Sequence, residues 1–307
     1  MIHSFLTVGQ QVLILFLLMA VGFALGKAKL MDDRGSLALS NIVMYVVAPA
    51  MLVVAFQRER NDADLHNFWL SLALSAAVHV VGILLALLLR GRDGSCRELR
   101  FGVVFSNCAF VGYPLMLSLL GSIGVFYGSA YVVVFTVLSW TVGVYMMTGD
   151  AKKLRLRNVV LNPGIISVVV AVALYLLSVS LPELVLAPLT YLASMNTPLP
   201  IMVVGYQLSH ANFGRAFSDR RSWLALALRL VVIPAAVLAV FWALPISNQN
   251  VALAAYLAAA TPVGANICVF AQQYDCDYEF SVVTVCLSTV LSIVTVPLMV
   301  SLAQMVI

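Results

Sequence analysis

Ten apolar runs, beginning near Thr7, Gly35, Phe68, Leu99, Val125, Asn162, Leu186, Trp223, Val251 and Phe280, constrain this chain more than anything else in its sequence. Each approaches the roughly twenty residues that one bilayer crossing needs. In hydrocarbon no water is available to bond a free N–H or C=O, so only helices and closed barrels cross, and these runs are too long and continuous for barrel strands. An all-α integral membrane protein follows. Its composition agrees: 63% of residues are hydrophobic and only 10% charged, against roughly a quarter charged in soluble domains. The first run lacks a basic leader and a small-residue cleavage site and is too long for a signal peptide, so it reads as the first span. No soluble domain fits between the spans.

The basic residues sit in loops, where they orient the spans rather than bind nucleic acid. Lys27, Lys29 and Arg34 follow span 1; Arg90, Arg92, Arg97 and Arg100 follow span 3; Lys152, Lys153, Arg155 and Arg157 follow span 5; Arg215, Arg220 and Arg221 follow span 7. These loops share one side. The other receives Arg58 and Arg60 among Glu59, Asp62 and Asp64. Both termini are thus expected outside a cell (inner) membrane. Cys96, Cys108, Cys268, Cys276 and Cys286 have no metal-ligand spacing and read as free thiols.

The two halves carry matching features. Trp69 opens span 3 with Trp-Leu-Ser-Leu-Ala-Leu and Trp223 opens span 8 with Trp-Leu-Ala-Leu-Ala-Leu, 154 residues later. Nearly the same offset relates Asn41 to Asn196, and a break at Asn107 to one at Thr261 and Pro262. Residues 1–150 then form one five-span repeat, with spans at about 7–29, 35–56, 68–90, 99–120 and 125–148. Residues 151–307 form the second, with spans at about 162–180, 186–208, 223–244, 251–273 and 280–305. An odd number of spans per half inverts one half relative to the other. Helices 4 and 9 are the broken ones, expected to cross near the midplane.

These breaks carry the chemistry. Ser106, Asn107, Gly112 and Pro114 interrupt one apolar run, and Thr261, Pro262, Gly264 and Asn266 interrupt the other. A half-helix ending in the membrane leaves orphan backbone groups and the partial charge of its dipole at the crossing. Two N-terminal ends there attract a carboxylate, with Ser106, Asn107, Thr261 and Asn266 as neutral partners and the glycines allowing close approach. The plainer reading is that Gly, Pro and small polar residues only mediate helix packing.

The pattern Asn107, Gly112, Pro114 together with Pro262, Gly264, Val269-Phe270-Ala271 and Tyr274 resembles the auxin efflux carrier family, including plant PIN-type carriers and bacterial malate and malonate permeases. The family is related to the bile acid sodium symporter fold. The resemblance spans the whole chain. It implies ten spans in inverted repeat, scaffold helices 1, 2, 6 and 7, transport helices 3–5 and 8–10, and transport of small organic anions. On it, Asn107 matches the substrate-contacting asparagine and Pro262 the second crossover proline. Ser106 stands where PIN-type carriers have the first crossover proline, and the long central loop of many plant members is absent. A homodimer stays open.

Asn41 with Pro49 in span 2, and Asn196 with Pro198 and Pro200 in span 7, face the crossing in that fold or merely shape the bundle. Arg229 is the one strongly basic residue inside an apolar run: it either holds a substrate carboxylate or snorkels to the nearby interface. His79 is a candidate proton carrier or a packing residue. No Asp or Glu falls inside an expected span, which leaves a cation-coupled mechanism without its usual carboxylate. No cofactor, metal or enzymatic motif is found. The expected function is therefore a secondary transporter of small organic anions in the lipid bilayer. A sodium- or proton-coupled symporter and a non-transporting receptor are the alternatives.

Overall fold

The computed structural model describes residues 2–89, 96–210 and 219–307, with the side chains of 2–8 and 156 outside the description. Arg90, Arg92 and Arg215, which contribute to the charge asymmetry, lie outside the described residues. Among the described residues the fold is all-helical, with one isolated bridge between Ser106 and Val263.

The first half comprises α1 (Ile2–Lys27), α2 (Asp33–Ala55), α3 (Asp62–Leu88), α4 (Arg97–Val104), α5 (Cys108–Leu120) and α6 (Ser122–Thr148). The second comprises α7 (Leu156–Val160), α8 (Pro163–Leu176), α9 (Glu183–Ser194), α10 (Pro198–His210), α11 (Arg220–Ala243), α12 (Gln249–Ala260), α13 (Asn266–Gln273) and α14 (Tyr278–Val306). Six helices are long and apolar enough to cross a membrane: α1, α2, α3, α6, α11 and α14. The runs expected as spans 4 and 9 are each two shorter helices, α4 with α5 and α12 with α13. The run at 186–208 also divides, into α9 and α10. Here the cause is local, because Pro198 and Pro200 have no N–H to continue the ladder and the helix restarts with Pro198 in its first turn.

Helix starts are fixed by polar caps. Asp32, Asn61, Asn162, Asp219, Asn248 and Asp277 each accept from a first-turn N–H of α2, α3, α8, α11, α12 and α14, each cap contributing about 1 kcal/mol. Three of the prolines inside the spans are absorbed by widened turns. Ahead of Pro49, Pro114 and Pro234, the N–H groups of Ala48, Gly112 and Ile233 reach the carbonyls of Val43, Asn107 and Leu228, five residues back. The wider turn relieves the clash between the proline ring and the carbonyl four residues earlier.

Packing brings α1 against α10 with backbones in contact. A Cβ on Gly22 would fall 2.0 Å from the Met202 carbonyl oxygen, and one on Gly205 2.0 Å from that of Met19. Small residues permit this approach, which maximises dispersion contacts where lipid supplies no hydrophobic drive. Elsewhere α2 lies on α8 and α9, and α3 on α6. α12 threads among α3, α6, α11 and α14. Its Ala-rich sequence suits that place: all of its residues from Val251 to Ala260 except Leu253 are buried.

Candidate functional site

The chain leaves α4 at Phe105 and α12 at Thr261 in extended conformation, and the two unwound segments run antiparallel past each other. Asn107 N–H donates to the Pro262 carbonyl at 2.8 Å, and Gly264 N–H donates to the Phe105 carbonyl at 3.0 Å. Val263 N–H donates to Ser288 Oγ of α14 at 3.1 Å. Pro262 has no N–H to satisfy. Each break thus supplies what the other releases, the condition for non-helical backbone at membrane depth.

The two glycines differ. At Gly264 a Cβ would lie 2.8 Å from the Ser106 carbonyl oxygen, so only glycine fits between the segments. At Gly112 a Cβ would find Thr261 Cγ2 at 3.6 Å and Ala258 Cα at 3.8 Å, ordinary contact distances. Pro114 is buried in the first straight turn of α5.

Arg229 is 1% exposed. It does not snorkel. Its Nε donates to the Thr261 carbonyl at 3.1 Å and its Nη1 to those of Val103 at 3.0 Å and Val104 at 3.4 Å, while Nη2 donates to the Ala259 carbonyl. These are last-turn carbonyls of α4 and α12, with the first carbonyl past α12. A cation at a helix C-terminus satisfies orphan acceptors and opposes the negative end of the dipole. Here one guanidinium serves two helix ends. Taking so deep a charge out of water is costly, and these four carbonyls offset that cost.

The opposite poles carry no such cap. α5 and α13 both begin at the crossing, so their N-terminal, partly positive ends meet there. Asn107 is buried, and its Nδ2 has no partner among the described residues; Asn266 Oδ1 is likewise buried without one. The Thr261 hydroxyl donates to the Ala258 carbonyl at 2.8 Å, and Ser106 Oγ lies 3.4 Å from Tyr131 Oη. A narrow crevice lined by Met19, Val111, Ile201, Thr289 and Ser292 runs beside the first turn of α5, between α1 and α10 on one side and α14 on the other.

The remaining sequence candidates divide. Asn196 is buried at the break between α9 and α10, with both ends of its amide unpartnered. Asn41 is exposed on α2. His79 is fully buried behind the crossing, with Nδ1 2.7 Å from the Ser75 carbonyl and its ring against Tyr131 at 4.7 Å between centroids. Sequence reasoning missed Ser288 and Tyr131. Ser288 was findable: Ser281, Thr284, Ser288 and Ser292 form a buried hydroxyl stripe at helical spacing along α14.

The family model described as membrane transport protein matches residues 7–159 and 152–300. An uncharacterized transporter of Methanothermobacter thermautotrophicus is 23% identical over 94% of this chain and 96% of its own length. Another, of Methanocaldococcus jannaschii, is 26% identical over 64% of this chain and 68% of its own. With a helical membrane fold whose broken helices meet, and a family match running through both halves, the chain belongs to the membrane transport proteins of the auxin efflux carrier family.

Proposed function

We propose that the protein is a secondary transporter of small organic anions, carboxylates of the malate, malonate or auxin-like kind, which it binds at the helix crossing and passes by alternating access. The observation that carries this reading is the polarity of the crossing. Both C-terminal ends are occupied by Arg229, whereas the N-terminal ends of α5 and α13 begin at the crossing, with the buried Asn107 Nδ2 and Asn266 Oδ1 unpartnered there. Such a site attracts an anion and offers a carboxylate a neutral donor. The architecture proposed with it is ten spans in two inverted five-helix repeats, 1–150 and 151–307. The chain segments of spans 1, 2, 6 and 7 serve as scaffold, those of 3–5 and 8–10 move, and both termini lie outside. The 154-residue offset between matched features and the Lys and Arg asymmetry support it. Ser106, Asn107, Thr261, Pro262, Gly264 and Asn266 form the proposed site. Gly112, Pro114 and Asn196 shape its approach. Asn41, exposed on α2, is proposed to face that approach from the scaffold.

Counterflow in proteoliposomes tests the reading. Vesicles loaded with unlabelled acid should transiently concentrate the labelled acid for at least one of acetate, malonate, malate and indole-3-acetate, and not for matched neutral amides. Accumulation of none of them, by protein shown to be inserted, would remove the carrier reading.

A further inference from the structure

We propose that Arg229 is the charge this carrier moves: it travels with the crossing, so the empty carrier crosses the membrane field with one positive charge and a carrier loaded with a monocarboxylate crosses it neutral. The inference rests on the alternating-access reading above and deepens it by naming the step that feels the membrane potential.

Three observations carry it. The guanidinium is permanently protonated at any working pH. It is tied by hydrogen bonds to both crossing segments, through Val103 and Val104 on one and Ala259 and Thr261 on the other, so the crossing cannot shift without it. Finally, no ion pair among the described residues includes Arg229. The acid closest to it along α4, Glu98, lies in the first turn at the far end of that half-helix and accepts the Asp277 N–H at 2.7 Å. The carbonyls and helix dipoles stabilise the guanidinium without cancelling it, because a dipole has no net charge. One positive charge therefore remains on the moving part. A monoanion brings the sum to zero and a dianion brings it to minus one. Over a whole cycle one negative charge still crosses per monoanion. It does so electrically in the return of the empty carrier, whereas exchange of monoanion for monoanion moves none.

The first arm of the test needs no substrate. Voltage steps applied to the reconstituted protein in substrate-free medium should give a displacement current that saturates at up to one elementary charge per molecule. R229K should keep it, and R229Q and R229M should lose it. Saturating both sides with indole-3-acetate should suppress the wild-type displacement, while malonate should reverse its sign. Absence of displacement in the wild type, or an unchanged displacement in R229Q, overturns the proposal. Should R229Q fail to insert, full displacement by the wild type under a monocarboxylate that it counterflows overturns it equally. Counterflow run in parallel separates the two ideas: a displacement that depends on Arg229 without any counterflow leaves the charge assignment standing and removes the carrier reading.

Discussion

The backbone N–H of Asn107 donates to the carbonyl of Pro262 at 2.8 Å, joining the broken helix of one half to that of the other. This places the Asn107 side chain, buried and with its Nδ2 unpartnered, where the first turn of α5 begins. Because the backbone rather than the side chain makes the joint, the side chain is available to a ligand.

Replacing that side chain should therefore separate binding from folding. N107A is expected to keep insertion and thermal stability while weakening carboxylate counterflow. Loss of one hydrogen bond to a charged ligand costs about 1.5–3 kcal/mol, or roughly ten- to a hundredfold in affinity. Wild-type counterflow by N107A would move the site elsewhere.

Gly264 and Gly112 should respond differently to the same change. G264A forces a Cβ to 2.8 Å from the Ser106 carbonyl oxygen, whereas G112A meets nothing closer than 3.6 Å. Overpacking of this kind costs about 1–3 kcal/mol. A thermal-shift comparison in detergent should find G264A destabilised and G112A near the wild type; equal behaviour would mean that the segments do not pack as described.

Ser288 is expected to matter through one bond. In S288A the Val263 N–H, buried in the crossing, loses the oxygen that accepts it at 3.1 Å. An unsatisfied buried donor costs about 1–3 kcal/mol. S288T restores an acceptor and should recover the melting temperature if its γ-methyl is accommodated, whereas S288V, of similar shape to threonine, should not. Equal melting temperatures for S288T and S288V would argue against the bond.

The proposed orientation has its own readout. In a cysteine-free background, an impermeant maleimide added outside should label a thiol placed at Ile307 and not one at Asn158. The opposite pattern would reverse the topology, whereas labelling of both positions or of neither would remove the inverted repeat.

Coupling can be read from ion replacement. With no acidic residue inside the expected spans, carboxylate uptake should follow an applied potential and persist when sodium is replaced by choline. Strict sodium dependence would favour a symporter.

Local chemistry was enough to read the membrane class, the helical fold and the two breaks. Apolar runs of bilayer length admit helices alone, and Ser106-Asn107 and Thr261-Pro262 stand where two of those runs unwind. The polar caps that the structure shows act just as locally, an Asp or Asn bonding N–H groups two or three residues away. Which way each side chain faces was not local. In a soluble helix the core-facing stripe stands out against a polar surface, but here the lipid-facing and protein-facing sides are both apolar, so the pattern that would assign them disappears. Thus Asn41 and Asn196 look equivalent in sequence, yet one is exposed and the other buried. Gly112 and Gly264 look equivalent, yet only one touches the opposite backbone. Arg229, a turn or two from a helix end, had the interface within reach. Tertiary structure turned it inward because two helix C-termini from distant parts of the chain converge on it, and their combined carbonyls outweigh what an interfacial position offers a single charge.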